Sequence, residues 1–158
     1  MSDQVAQQQP VPQQLPNLYP PENPTQKQLR IKSGSLKRTL KEYKSYQIEE
    51  QQMLQKIDQW KSEGMEEHQM KKKIELLEET QSMLPNCKQR LQDIFMEVQA
   101  WMNENGDSPD IQDMEEKTKC EETLQEVDDF LEQLNQQVGQ DDEDEEENEE
   151  EEEQENQN

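Results

Sequence analysis

Residues 70–102 read MKKKIELLEETQSMLPNCKQRLQDIFMEVQAWM, and their spacing decides the fold. Counting in sevens from Met70 reaches Leu77, Leu84, Leu91 and Val98, and counting in sevens from Thr80 reaches Cys87, Ile94 and Trp101. That period marks the apolar face of a helix. A third row, Ile74, Phe95 and Met102, sits one position beyond the second. It widens the stripe past what the seam of a two-stranded coiled coil needs, so two neighbouring helices are required to cover it. Pro85 falls inside the run. An interior proline costs a helix about 3 kcal/mol, because it deletes a hydrogen bond and clashes with the preceding turn. The seven-residue phase is nevertheless the same on both sides, so the stretch is read as one long helix bent at Pro85. The alternative makes Ser82 the cap of a fresh helix, with Pro85 at its third position, where the missing N–H has no intrahelical partner.

On the N-terminal side, sevens from Leu29 give Leu36, Tyr43 and Ile57, flanked by Leu40 and Leu54 and by Tyr46, Met53 and Trp60. Gln47 and Glu50 interrupt this stripe. Thr25 with Gln28 fits a capping box, and Asn23 capping a helix that begins at Pro24 fits equally well. Gly64 supplies a left-handed stop, and Glu66 with Glu67 suit the positive end of the next helix. After Trp101 and Met102, the run Asn105-Gly106-Asp107-Ser108-Pro109 predicts a turn and a new start, with Ser108 as cap and Pro109 in the first position. Cys120, Leu124, Val127, Leu131, Leu134 and Val138 then follow at alternating spacings of four and three, with Ile111 and Met114 one step out of phase.

Helices over about 25–63, 66–103 and 109–138, joined by short connections, predict an all-α, elongated, left-handed antiparallel three-helix bundle. Each rod is roughly 45 to 60 Å long at 1.5 Å per residue. The weak points fall at Gln47/Glu50 and at Pro85.

The flanks are different. Six of the eight prolines lie within the first 24 residues, among many glutamines, so residues 1–23 read as a disordered arm. Residues 139–158 carry a charge of −13 and nothing to bury, which predicts a disordered acidic tail. Over half of the net charge of −23 therefore sits in that tail.

The acidic balance argues against nucleic acid and against an anionic membrane surface as partners. No stretch is long and apolar enough to span a membrane, and the N-terminus lacks the apolar core of a secretory signal. Cys87 and Cys120 fall on seam positions and read as reduced core residues rather than as a disulfide or metal pair. His68, the one histidine, sits among glutamates at a helix start. With no metal-ligand spacing, phosphate loop or nucleophile motif, the sequence argues against catalysis and implies neither metal nor cofactor. What remains is binding by surface. The candidates are the apolar residues off the seams, Ile31, Ile48, Met65, Met96 and Phe130, and a basic cluster on helix one, Lys37, Arg38, Lys41 and Lys44, which could equally pair with acidic groups of the same chain.

At these residues the sequence resembles the tubulin-specific chaperone A family, also called tubulin folding cofactor A. The stretch from Leu29 to Arg38, followed by Leu40-Lys41-Glu42, is similar to that family's opening motif. Met83-Leu84-Pro85-Asn86-Cys87, with Arg90-Leu91 after it, is similar to its second motif, and the separation between the two agrees without a gap. Ser33 and Asn86 replace the commoner Thr and Asp, the third helix matches only in character, and both flanks exceed the usual family length.

The resemblance implies a bundle whose second helix bends at the proline. It also implies a cytosolic, cytoskeleton-associated, cofactor-free chaperone that takes β-tubulin folding intermediates from the chaperonin and passes them toward the αβ dimer, with other tubulin folding cofactors as further partners. Partner-binding positions carried over are Ile31, Lys32, Gly34, Lys37, Arg38 and Lys41, on an outer helix surface. The tail is expected to solubilise the complex or to screen the basic cluster. Two other readings stay open: an acidic chaperone of basic proteins such as histones, and a coiled-coil adaptor. The seams fit a monomer or a homodimer.

Overall fold

The computed structural model describes residues 21–155, with side chains to Gln137. The expected disorder of the Gln/Pro-rich arm falls, for residues 1–20, outside the described residues. Three helices are present, α1 (Pro24–Ser62), α2 (Glu67–Asn105) and α3 (Glu115–Glu155), and there is no strand among the described residues. None of the helices is long and apolar enough to cross a membrane.

Each boundary has a local cause. The Asn23 side chain accepts a hydrogen bond from the Thr25 N–H at 2.8 Å and Pro24 takes the first helical position, so of the two starts legible for α1 the asparagine cap is the one adopted. At the other end Gly64 has a φ of 78°. The Met65 N–H returns to the Trp60 carbonyl at 3.0 Å and the Gly64 N–H to Lys61 at 3.3 Å, a pairing that satisfies two of the open carbonyls of the last turn. The chain reverses within four residues, and α2 runs back along α1.

Helix α2 passes through Pro85 without interruption. The Ser82 hydroxyl donates back to the Glu79 carbonyl at 2.6 Å instead of capping a new helix, so the one-helix reading holds.

The start of α3 differs from the expectation. Ser108 and Pro109 open a series of tight turns, not the helix itself: Ile111 N–H donates to Ser108, Met114 to Ile111 and Lys117 to Met114, each three residues back. Helix proper begins at Glu115, six residues later than the start expected at Pro109. The reason is burial. Ile111 is fully buried and the Gln26 amide donates to the Asp110 carbonyl at 2.9 Å, so this segment plugs the end of the bundle and cannot continue the helical phase. The out-of-phase positions of Ile111 and Met114 are thereby explained. Past Val138, where the apolar spacing stops and a disordered tail was expected, the helical backbone continues to Glu155. Glutamate is a good helix former and no proline follows.

The core is shorter than the helices. Its fully buried members are Leu29 and Leu36 on α1, Cys87, Leu91 and Val98 on α2, Ile111, and Cys120 and Val127 beyond it. Leu40, Tyr43, Leu131 and Leu134 close its upper limit. Above that level α1 has no buried residue and α2 has only Leu77 and Thr80. Above the shared core, the upper halves of α1 and α2 form a distal hairpin that buries little of its own. Both cysteines are buried and free.

The junction lies where the sequence interrupts its stripe. A cleft of about 650 Å³ opens there between Tyr43, Gln47, Glu50, Gln81, Pro85 and Leu134. The Gln81 amide donates across it to Glu50 at 2.9 Å, and Thr80 reaches Glu49 at 3.4 Å.

Candidate functional site

The core face of α1 is set by Leu29, Leu36, Leu40 and Tyr43. At 3.6 residues per turn the opposite face carries Lys27, Ile31, Gly34, Arg38 and Lys41, with Lys37 at its edge. Ile31 is 50% exposed, and Lys37, Arg38 and Lys41 are exposed. No carboxylate bridges any of these three cations among the described residues. Gly34 has a definite neighbour: a Cβ there would lie 3.0 Å from Arg38 Nη1, so the bare helix at Gly34 is where the guanidinium folds back. Five of the six residues taken from the sequence thus share one outward strip.

Lys32 stands apart. Its ammonium donates to Glu97 Oε1 of α2 at 2.6 Å and its side chain is only 15% exposed, so it staples α1 to α2. Lys44, the fourth member of the basic cluster, does the same toward α3. It pairs with Glu126 at 2.6 Å and lies 5.4 Å from the centroid of the Phe130 ring. Exposed pairs of this kind contribute about 0 to 1 kcal/mol each. Their effect is to hold register and to take two of the cations off the free surface. Lys37, Arg38 and Lys41, with Lys27 about two turns below Gly34, remain as the strip's cations without an ion pair among the described residues.

Of the apolar candidates off the seams, Ile31, Ile48 and Met96 are exposed, at 50%, 55% and 67%. Phe130 is not an outer-surface residue: it packs half-buried against the core. Met65 is half-buried at the α1–α2 turn. Sequence reasoning missed a second surface. Leu54 and Ile74 have the spacing of seam residues, yet both are exposed, as is Leu76, because they lie on the distal hairpin above the shared core.

Among the described residues no group of three or more His, Cys, Asp or Glu is placed to hold a metal. The clear proton-affinity shifts belong to packing or to local pairing. Burial, with Glu50 and Cys87 nearby, raises the Tyr43 phenol above its ordinary value. Burial likewise raises the Cys120 thiol, against the opposing pull of a hydrogen bond with Ser33. On the surface of α3, the hydrogen bond between Glu115 and Lys119 lowers the carboxyl and raises the ammonium.

Comparison with known proteins agrees with this geometry. The family model described as Tubulin binding cofactor A matches residues 24–124, which comprise α1, α2, the turn series and the first part of α3. Tubulin-specific chaperone A of Homo sapiens is 31% identical over 94 residues, covering 60% of this chain and 87% of its own length. The protein of the same name from Mus musculus matches to the same extent. Among solved structures, tubulin folding cofactor A from Arabidopsis thaliana superposes with a TM-score of 0.59 at 25% identity, over 66% of this chain and 96% of its own. Human tubulin chaperone cofactor a superposes with a TM-score of 0.55 at 30% identity, over 66% and 99%. In both, the shared part is nearly the whole of the solved chain.

Proposed function

The chain belongs to the tubulin binding cofactor A family, and from that premise we propose that it is a tubulin-folding chaperone acting by stoichiometric binding. In this reading it captures β-tubulin folding intermediates released from the cytosolic chaperonin and holds them for transfer toward the αβ dimer, with other tubulin folding cofactors receiving them. The observation that carries the reading is the extent of the family match, which spans the proximal bundle and the outward strip of α1 together. Ile31, Gly34, Lys37, Arg38 and Lys41 form the contact surface, and Lys32 supports it from the α1–α2 side. A charged, solvent-facing strip with one exposed apolar side chain suits a reversible hold, since long-range attraction speeds encounter while little apolar area resists release.

The test is capture of β-tubulin released from the chaperonin, comparing the full chain with residues 24–139. Equal capture of β-tubulin by both, with α-tubulin left behind, supports the reading. Capture by the full chain alone, together with retention of unrelated basic proteins, would hand the activity to the acidic segment and replace this function with that of an acidic chaperone.

A further inference from the structure

The row Ile74, Gln81, Lys88, Phe95 and Met102 repeats every seven residues along α2 and faces α3. In the proximal half α3 covers it. Lys88 donates to Asn135 at 3.0 Å, Phe95 shares a cleft with Leu131, and Met102 shares one with Leu124. In the distal half Ile74 of the same row is 39% exposed. It opens on a groove of about 630 Å³ between α1 and α2, floored by Ile57, Met65, Met70 and Ile74. The register of α3 carries residues beyond Gln137 toward this level. From Gly139 onward, however, the sequence contains no side chain more apolar than the stems of Glu and Gln, and thirteen carboxylates. Residues 139–158 thus contain no apolar side chain with which to fill the groove.

We infer that this distal groove receives an amphipathic helix of the tubulin client, with apolar residues in four-three spacing and basic residues along its flanks. The shape argument comes from α3 itself, whose Cys120, Leu124, Val127, Leu131 and Leu134 show which spacing fills the same row one level down. The charge argument comes from the rim. Asp58, Glu67, Glu75 and Glu78 outnumber Lys61 and Lys71 around the groove, so lysine or arginine flanks are favoured and a glutamate-rich helix is repelled. The distal hairpin offers α1 from about residue 50 to residue 62, roughly 20 Å at 1.5 Å per residue, which seats three to four turns. The outward strip on α1 and this groove are separate surfaces of opposite charge preference. A client held by both is fixed in orientation.

This inference rests on the tubulin reading for the identity of its partner, and the experiment separates the two. p-Benzoylphenylalanine is placed at position 74 of the full chain, the complex with chaperonin-released β-tubulin is formed and irradiated, and the cross-linked peptides are identified by mass spectrometry. The expected product joins position 74 to a tubulin helix with an apolar stripe and basic flanks. In parallel Ile74→Glu weakens the complex about tenfold or more, as loss of an interface anchor does, with an unchanged circular dichroism spectrum. A complex that forms normally but cross-links from position 74 to a second copy of the chain, to residues 138–158, or to nothing overturns the groove and leaves the tubulin reading standing. Absence of any complex with the unsubstituted chain overturns both.

Discussion

Tyr43 of α1 and Phe130 of α3 meet edge to face, with ring centroids 5.4 Å apart and planes 78° from each other, at the level where the three-helix core ends. Above this level α1 buries no side chain. Aromatic pairs contribute about 0.5 to 1.5 kcal/mol beyond the area they bury. Phe130→Ala is expected to destabilise the protein by about 2 kcal/mol, less than a fully buried phenylalanine would, and a double-mutant cycle with Tyr43→Leu should return a coupling of about 1 kcal/mol. Urea unfolding measures both. A coupling indistinguishable from zero would mean the two rings merely share a neighbourhood.

The distal hairpin should open before the core does. Its only buried residues are Leu77 and Thr80 on α2, and its base is crossed by the polar bridge from Gln81 to Glu50 and by Pro85, which gives no N–H to the carbonyl of Gln81. Segments with few buried apolar contacts exchange amide hydrogens through local opening. Hydrogen exchange followed by mass spectrometry is expected to show fast exchange over residues 50–62 and 67–76 and slow exchange over 29–43 and 87–101. Equal protection along α2 would show that the bundle unfolds as one unit and that the junction at Pro85 has no mechanical meaning.

The same contrast shows what the sequence could and could not reveal. The helical seams were legible because Met70, Leu77, Leu84, Leu91 and Val98 keep one phase through a proline, which no other local structure does. The third-helix start was misread because Ser108-Pro109 signals a turn as well as it signals a cap, and the choice was made by the burial of Ile111 at the bundle end. Ile74 and Leu54 looked like core for a related reason. Periodicity tells which side of a helix is apolar, whereas what covers that side depends on the relative heights of three helices. The strip on α1 was found through the family motif; its division into free cations and the stapled Lys32 required the positions of Glu97 and Glu126.

Two glycines make opposite predictions. Gly64 holds a φ of 78° with open space around its missing Cβ, so Gly64→Ala is penalised by backbone conformation alone and is expected to cost about 1 kcal/mol. Gly34 lies inside α1, and there the obstacle is only the movable tip of Arg38. Gly34→Ala is therefore expected to stabilise by about 0.5 to 1 kcal/mol, the ordinary helical difference between the two residues, once the guanidinium swings aside. Thermal unfolding of the two variants beside the parent decides both signs.

Stability should fall in alkali for a reason located in the core. Burial, then Glu50 and Cys87, raise the Tyr43 phenol above its ordinary value of 10, and burial raises the Cys120 thiol above its ordinary 9. The folded state holds both protons more tightly than the unfolded chain does. The associated stability is thus fully present below the unfolded values and is lost as pH rises through them toward the folded ones. Urea midpoints recorded from pH 7 to 11 are expected to decline from about pH 9. Tyr43→Phe with Cys120→Ala should flatten the decline, and an unchanged slope in that double variant would place its origin elsewhere.

The outward strip makes the sharpest demand on function. Lys37, Arg38 and Lys41 are exposed and form no ion pair among the described residues, so reversing all three to Glu should shift unfolding stability by no more than about 0.5 kcal/mol. Capture of β-tubulin should nevertheless fall by an order of magnitude or more, because three attractive charges at one face become repulsive. Salt separates this from an indirect effect. For the parent, raising ionic strength should weaken capture, since exposed charges are screened over about 8 to 10 Å near 0.1 to 0.15 M; for the reversed variant the same salt should weaken it less or restore it in part. Lys32→Met provides the contrast: it removes the staple to Glu97 without touching the strip and is expected to alter stability by at most about 1 kcal/mol while leaving the salt dependence of capture as it was. If instead removal of residues 140–158 abolishes capture and the triple reversal does not, the free cations are solvated surface and the acidic segment is the binding element.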